Sequence, residues 1–205
     1  MSVFFKRHLP HYHVANATYF ITFRLAGSLP GEVVARLEQE YQERLRFLEQ
    51  TLSGAALQAA RYDEQKKYFG RVDALLDRMR YGPRWLEQPP CTQIVMDCIH
   101  ELTPAHFHLY AFCVMGNHVH LLLDQQDIPE PPPRQDGKTY TALSLAMQLL
   151  KAKSAALSNR FLNRRGAFWQ HESYDHVVRN EKEFTRIVAY IANNPVKAGL
   201  VEDWQ

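Results

Sequence analysis

Apolar and polar positions change period several times along the chain, and those changes divide it into elements. Thr18 to Leu25 (TYFITFRL) alternates aromatic or branched residues with other types, which predicts a strand. Beyond Pro30-Gly31 the period lengthens. Val33, Leu37, Tyr41, Leu45 and Leu48 recur among charges at helical spacing, Ser53-Gly54 interrupts, and a second helical piece runs through Leu75 and Leu76. The pattern predicts an amphipathic helical insertion over residues 31–80 or so. Thr92 to Leu102 predicts another helix. His108 to Met115 and His118 to Asp124 are apolar runs joined by Gly116-Asn117, a two-residue hairpin signal. A Pro-rich loop follows at about 127–138, too dense in proline for either regular structure. Tyr140 to Leu162 predicts a helix, Ser173 to Arg179 a short strand, and Glu181 to Asn194 a last helix stopped by Pro195. The order strand, helices, strand, strand, helix, strand, helix implies an α+β fold with an antiparallel sheet of about four strands.

Composition narrows the class. The 205 residues are 46% hydrophobic, enough for one core, so a single domain carrying the insertion and the loop is expected. Cys91, Cys98 and Cys113 form no CxxC and no even framework, which suits a reducing compartment. Met1 to Pro10 does not read as a signal peptide, and no apolar run approaches the roughly 20 residues of a membrane span. The expectation is a cytoplasmic protein without a membrane partner. A formal net charge of +2 is too small to name a partner. Charge is uneven, however: the segment from Lys151 to Gln170 holds Lys151, Lys153, Arg160, Arg164 and Arg165 and no acidic residue.

Two patterns carry chemistry. His118 and His120 are two apart on a predicted strand, so their side chains leave one face and can supply two ligands to one divalent ion. Other HxH pairs occur at His11/His13 and His106/His108, so the triplet alone is weak. The pair at 118/120 is set apart by its place after a tight turn in an apolar strand, where imidazoles are costly to bury unless their nitrogens are satisfied. The alternative is two histidines on a partly solvated sheet face. The hairpin sets Cys113 opposite His120, either as a third ligand, which would favour zinc, or as a small apolar residue. The second pattern lies in the last helix, where Tyr190 and Asn194 are four apart and share a face. By itself that pair also reads as a core tyrosine and a helix stop.

VMGNHVHLLL, FWQHESYDHVVRN and YIANNPVKAGLV, in this order, resemble the REP-associated tyrosine transposases, relatives of the single-tyrosine transposases of small insertion sequences. HYHVANATYFITFRLAGSLP resembles the same family's first strand, so the likeness spans most of the chain outside the insertion and the Pro-rich loop. The resemblance implies a ferredoxin-like domain whose sheet carries an HUH motif, here His118-Val119-His120. It implies a nucleophilic Tyr190, with Asn194 completing a site for Mg2+ or Mn2+. It also implies single-stranded DNA with hairpin-forming palindromes as substrate, a covalent 5′-phosphotyrosine intermediate, and action as a monomer or a homodimer. Gly116 departs from the family, which commonly has Pro there.

DNA contact is expected along the basic helix: Lys151, Lys153, Arg160, Arg164 and Arg165 on phosphates, with Trp169, Phe168 and Tyr174 stacking on unpaired bases. The plain alternatives are a solvated helix face and, for Trp169, a core anchor. Two other functions fit the same residues: a DNA-binding regulator of this fold that no longer cuts, and a zinc hydrolase using His118, His120 and Cys113.

Overall fold

A computed structural model describes the chain apart from residues 1, 7–9, 15, 133–139, 198 and 200–205, with backbone alone for 2–6 and 10–13. The chain divides into two compact units, residues 1–26 with 84–205, and residues 27–83. Much of the predicted Pro-rich loop lies outside the described residues; 129–132 are irregular.

The first unit is built on a four-stranded antiparallel sheet of β3 (Thr18–Arg24), β4 (His108–Val114), β5 (His118–Asp124) and β6 (Tyr174–Val177), in the order β4-β5-β3-β6. Helix α3 (Pro89–Leu102) lies between the first and second of these strands in sequence, and α4 (Ala142–Phe161) between the third and fourth. That is the βαββαβ succession and strand order of a ferredoxin-like α+β fold. A separate antiparallel pair, β1 (Ser2–Lys6) and β2 (Pro10–Val14), precedes the sheet and had no counterpart in the pattern. Helix α5 (Glu181–Lys197) closes the described chain.

The sheet's two faces differ because side chains alternate along each strand. Tyr19, Ile21, Phe23, Val119, Leu121 and Leu123 point to one face and are buried against Val95, Cys98 and Ile99 of α3 and Leu143, Ala146, Met147 and Leu150 of α4. The alternate residues Phe20, Thr22, His118, His120 and His176 point to the other, where α5 packs.

Helix ends follow local chemistry. Thr141 caps α4, its hydroxyl accepting from the Ser144 amide at 3.1 Å. Asn180 caps α5 by accepting from the Glu183 amide at 2.9 Å, while the Glu183 carboxylate accepts from the Arg179 amide at 3.1 Å, close to a capping box. Two boundaries depart from expectation. Pro89-Pro90 open α3 instead of preceding it, because the first helical positions have no amide partner to lose. Helix α5 runs through Pro195 to Lys197, since a proline in the last turn removes only one hydrogen bond there.

The second unit is a helical pair, α1 (Gly31–Thr51) and α2 (Gly54–Asp77), broken at 52–53 where the sequence reads Leu-Ser-Gly. Tyr41 and Tyr68 pack between the helices with ring centroids 4.9 Å apart and planes tilted by 31°. The balanced charges of this segment become cross-helix pairs: Arg61 with Glu49, Arg71 with Glu40, and Arg44 with Glu64 at 3.5 Å. Gly82 (φ +68°) closes the unit, for a Cβ there would stand 2.0 Å from the Gly27 carbonyl oxygen.

Candidate active site

The hairpin between β4 and β5 turns at Gly116-Asn117, with the Met115 amide donating to the His118 carbonyl at 2.8 Å. It leads straight into His118, and both His118 and His120 are fully buried. Their Nε2 atoms stand 3.0 Å apart. Each ring's other nitrogen has its own partner: His118 Nδ1 lies 2.6 Å from Asn117 Oδ1, and His120 Nδ1 lies 2.7 Å from Thr22 Oγ1. Burial lowers the His118 pKa to about 3, and burial reinforced by the neighbouring His118 takes His120 well below its ordinary value. Both imidazoles are therefore neutral at physiological pH, the form in which imidazole ligates a metal.

Helix α5 brings its own groups to this face. The Tyr190 ring meets the His120 ring edge-on at 5.4 Å and the Phe20 ring at 6.1 Å, and Phe20 stacks on His120 at 5.5 Å. Tyr190 and Asn194 are thus on the helix side that faces the imidazoles, together with buried Ile187 and Ile191. Among the described residues, the buried Tyr190 hydroxyl has no hydrogen-bond partner, nor has either polar atom of the Asn194 amide. A buried amide with neither end satisfied costs on the order of 1–3 kcal/mol per unmade group, so its presence asks for a ligand. At its start α5 is fixed to the sheet by Glu183, which lies 3.2 Å from His176 Nε2 on β6, both groups buried.

Cys113 does pair across from His120 in the strand register, as the hairpin spacing requires. Its sulfur lies 3.3 Å from the Met115 sulfur and is buried.

The basic segment is placed differently from the imidazoles. Helix α4 packs on the opposite face of the sheet. Lys151 is committed to the fold: its ammonium donates to the carbonyls of Gln170 and His171 at 2.7 and 2.8 Å and to the Ser173 hydroxyl at 3.2 Å. Lys153 is on the surface, paired with Glu101, and Arg160 and Arg165 are exposed. The Arg164 guanidinium lies 3.9 Å over the Trp85 ring and bonds Asn159. Trp169 is buried, edge-on to Phe23 at 4.8 Å, with its indole donating to Ser154 Oγ at 2.9 Å; Phe168 is buried too and stacks on Trp85. Both aromatics are core anchors here, while Tyr174 sits half-buried beside Thr22 on the imidazole face.

Sequence reasoning passed over Thr22, Asn117, His176 and Glu183. Only Glu183 left a readable mark, as the third residue after a capping asparagine. Thr22 gains its role from cross-strand register, which one strand's sequence cannot show.

Comparison with models of known protein families finds no match. Among curated proteins the chain is 31% identical over 102 residues to a Haemophilus influenzae Rd protein bearing the provisional name REP-associated tyrosine transposase. The match covers 48% of this chain and 56% of that protein, so the chain spans little more than half the relative's length. Among solved structures it is similar to a REP-associated tyrosine transposase bound to a REP hairpin, with a TM-score of 0.45, 16% identity, and coverage of 95% of this chain and 75% of the other. A Deinococcus radiodurans R1 protein, provisionally named a transposase, aligns with a TM-score of 0.33, 15% identity, and coverage of 89% and 93%.

Proposed function

We propose, taking the likeness to a REP-associated tyrosine transposase as premise, that this chain cleaves and rejoins single-stranded DNA through Tyr190 at a divalent-metal site. The observation that carries the reading is the unsatisfied face of α5. A phenol hydroxyl and an amide, both buried and without hydrogen-bond partners among the described residues, sit one turn apart on the helix packed over two neutral, converging imidazoles. The donor set fits a small divalent ion. His118 Nε2, His120 Nε2 and Asn194 Oδ1 would hold it, and nitrogen with amide oxygen suits Mn2+ as well as Mg2+. Such an ion supplies charge neutralisation at a phosphate oxygen.

The protein's own residues do the rest. Tyr190 Oη forms a bond to the scissile phosphorus as the bond from phosphorus to the 3′ oxygen of the preceding nucleotide breaks. The phenolic proton passes to water and the departing oxygen takes one up. An ordinary phenol, with a pKa near 10, is mostly protonated at neutral pH, so placement by α5 contributes through orientation. Glu183 on His176 holds the start of that helix to β6 and limits the directions from which the phenol can approach. The Tyr190 hydroxyl is shut from solvent, so a phosphate reaches it only after the packing over it opens. Because the tyrosyl ester conserves the energy of the cleaved bond, the freed 3′ hydroxyl can reverse the step and join strands.

Hairpin-forming single-stranded DNA is the proposed substrate. Within the basic segment from 151 to 170, Lys153, Arg160 and Arg165 are the positions exposed to meet phosphates. Incubating hairpin-bearing oligonucleotides with the protein and Mn2+ tests the reading. An SDS-resistant protein–DNA adduct that vanishes in Tyr190→Phe supports it. Tight DNA binding with no adduct under any metal would instead favour a regulator that does not cut.

A further inference from the structure

We propose that the Arg164 guanidinium, laid over Trp85, is a platform on which an unpaired base of the DNA stacks, at the end of the sheet where β5 begins. The inference rests on the single-stranded DNA reading above and adds a contact to it. Trp85 is half-buried and has two neighbours on its ring. Phe168, itself buried, stacks on it with centroids 5.4 Å apart and planes 21° from parallel. The Arg164 guanidinium lies over the indole, 3.9 Å from its centroid. The edge of that guanidinium is held as well, one nitrogen donating to Asn159 Oδ1 and another to the Ala167 carbonyl at 3.3 Å. Asn159 is fixed in turn, its side-chain amide donating to the Gly166 carbonyl at 3.0 Å and its carbonyl accepting from the Arg164 amide at 2.9 Å. Arg164 is half-buried, so with its edge bonded and one face on the indole, the remaining face is the part left to a ligand. A guanidinium whose nitrogens already serve acceptors is a poor fork for phosphate. It is a good stacking plane, because it is weakly hydrated and already ordered.

Backbone hydrogen bonds fix where this platform stands. The Leu86 amide donates to the Gly116 carbonyl at 3.2 Å, the Leu25 amide to the Asn117 carbonyl at 2.8 Å, and the Ala26 amide to the Phe168 carbonyl at 2.8 Å. Trp85 and Phe168 are thereby tied to the turn that leads into His118, at the sheet end where Arg24 pairs with His118. That end borders both faces of the sheet, so a strand leaving the imidazole face can pass round it. Charge along the way favours DNA. Arg160 and Arg165 are exposed, and no acidic residue occurs from 151 to 170. Glu87, the acid closest to Trp85 in sequence, is paired with Arg84. Stacking uses the π face that every base presents, so the platform sets the register of the strand and leaves sequence unread.

The test reads binding without cleavage, on the full chain in EDTA, by fluorescence anisotropy of a hairpin oligonucleotide with single-stranded flanks. A single abasic site is moved along each flank. Wild type should lose about 10-fold in affinity at one position and little at the others. Arg164→Lys keeps the charge and removes the plane. It should bind the intact oligonucleotide about 10-fold more weakly, with the salt dependence of wild type, and should no longer respond to the abasic site at that position. Arg164→Lys as tight as wild type overturns the inference. So does a weaker variant that keeps the wild-type abasic profile, and so does a flat profile in wild type. A second measurement needs no variant: iodouracil at the sensitive position should photo-crosslink wild type to a peptide containing Trp85 or Arg164, and a crosslink elsewhere overturns the inference. Cleavage is judged apart, with Mn2+ restored. The expected profile without a covalent adduct would end the nicking proposal and leave the platform standing, whereas an adduct with a flat profile would do the reverse.

Discussion

The two faces of the central sheet put strands β3 and β5 to opposite uses. On one, Tyr19, Ile21, Phe23, Val119, Leu121 and Leu123 meet α3 and α4 in an apolar layer. On the other, Thr22, His118, His120 and His176, with Glu183 and Asn194 of α5, are buried but polar. Burying apolar area stabilises at roughly 25 cal/mol per Å2, whereas burying polar groups costs free energy unless each finds a partner. The first face therefore holds the fold and the second spends part of that stability. Over its first four residues, His118 to Leu121, β5 alternates between chemistry and structure.

Substitutions on either face should separate the two roles, with effects of decreasing size. The largest is Tyr190→Phe. It should abolish the SDS-resistant DNA adduct on denaturing gels without lowering the thermal midpoint, since the lost hydroxyl has no hydrogen-bond partner among the described residues. Next come two neighbours on one strand. Leu121→Ala should cost about 2–5 kcal/mol in chemical denaturation, as for other large-to-small core changes. His120→Ala should lower Mn2+ affinity by about 100-fold while costing less stability than Leu121→Ala. Equal stability losses at 120 and 121 would erase the distinction between the faces. Asn194→Leu goes further in the same direction. Removing a buried amide with two unmade bonds should raise stability by about 1–3 kcal/mol while Mn2+ binding is lost, a trade visible by calorimetry with and without metal.

A smaller effect concerns Lys151. Burial lowers its pKa to about 8 from the ordinary 10.5, so the folded chain releases this proton first. Between those values the unfolded chain binds more protons, and Lys151's contribution to stability grows as pH rises. The unfolding free energy of wild type relative to Lys151→Met should therefore shift in favour of wild type from pH 7.5 to 10. A shift the other way would mean that the three oxygens around the ammonium outweigh its burial. The smallest effect is expected at exposed Lys153: Lys153→Ala should leave the thermal midpoint unchanged, and its consequence should be confined to the salt dependence of DNA binding.

Much of this architecture could be read from period and punctuation. Alternation in TYFITFRL marked one strand, and the apolar runs HLYAFCVM and HVHLLLD on either side of Gly116-Asn117 marked two more and their hairpin, because side-chain direction and turn geometry are local properties. The helical pair at 31–77 announced itself by apolar spacing and balanced charge. Basic residues misled where charge was taken for availability. Lys151 looked like its neighbours in sequence, yet three oxygens from a distant loop surround it, and Trp169, offered as a stacking platform, donates to Ser154 inside the core.

That His118 and His120 share a face, and that Tyr190 and Asn194 share another, follows from the strand and helix periods and is already present in the order of residues. That those two faces meet, that Thr22 and Asn117 back the imidazoles, and that Asn194 finds no hydrogen-bond partner among the described residues are outcomes of folding in three dimensions. The physical reason is that spacing along one element is a local constraint. Which elements pack together, and which polar groups that packing leaves unsatisfied, depends on contacts between residues far apart in the chain, as Phe20 is from Tyr190.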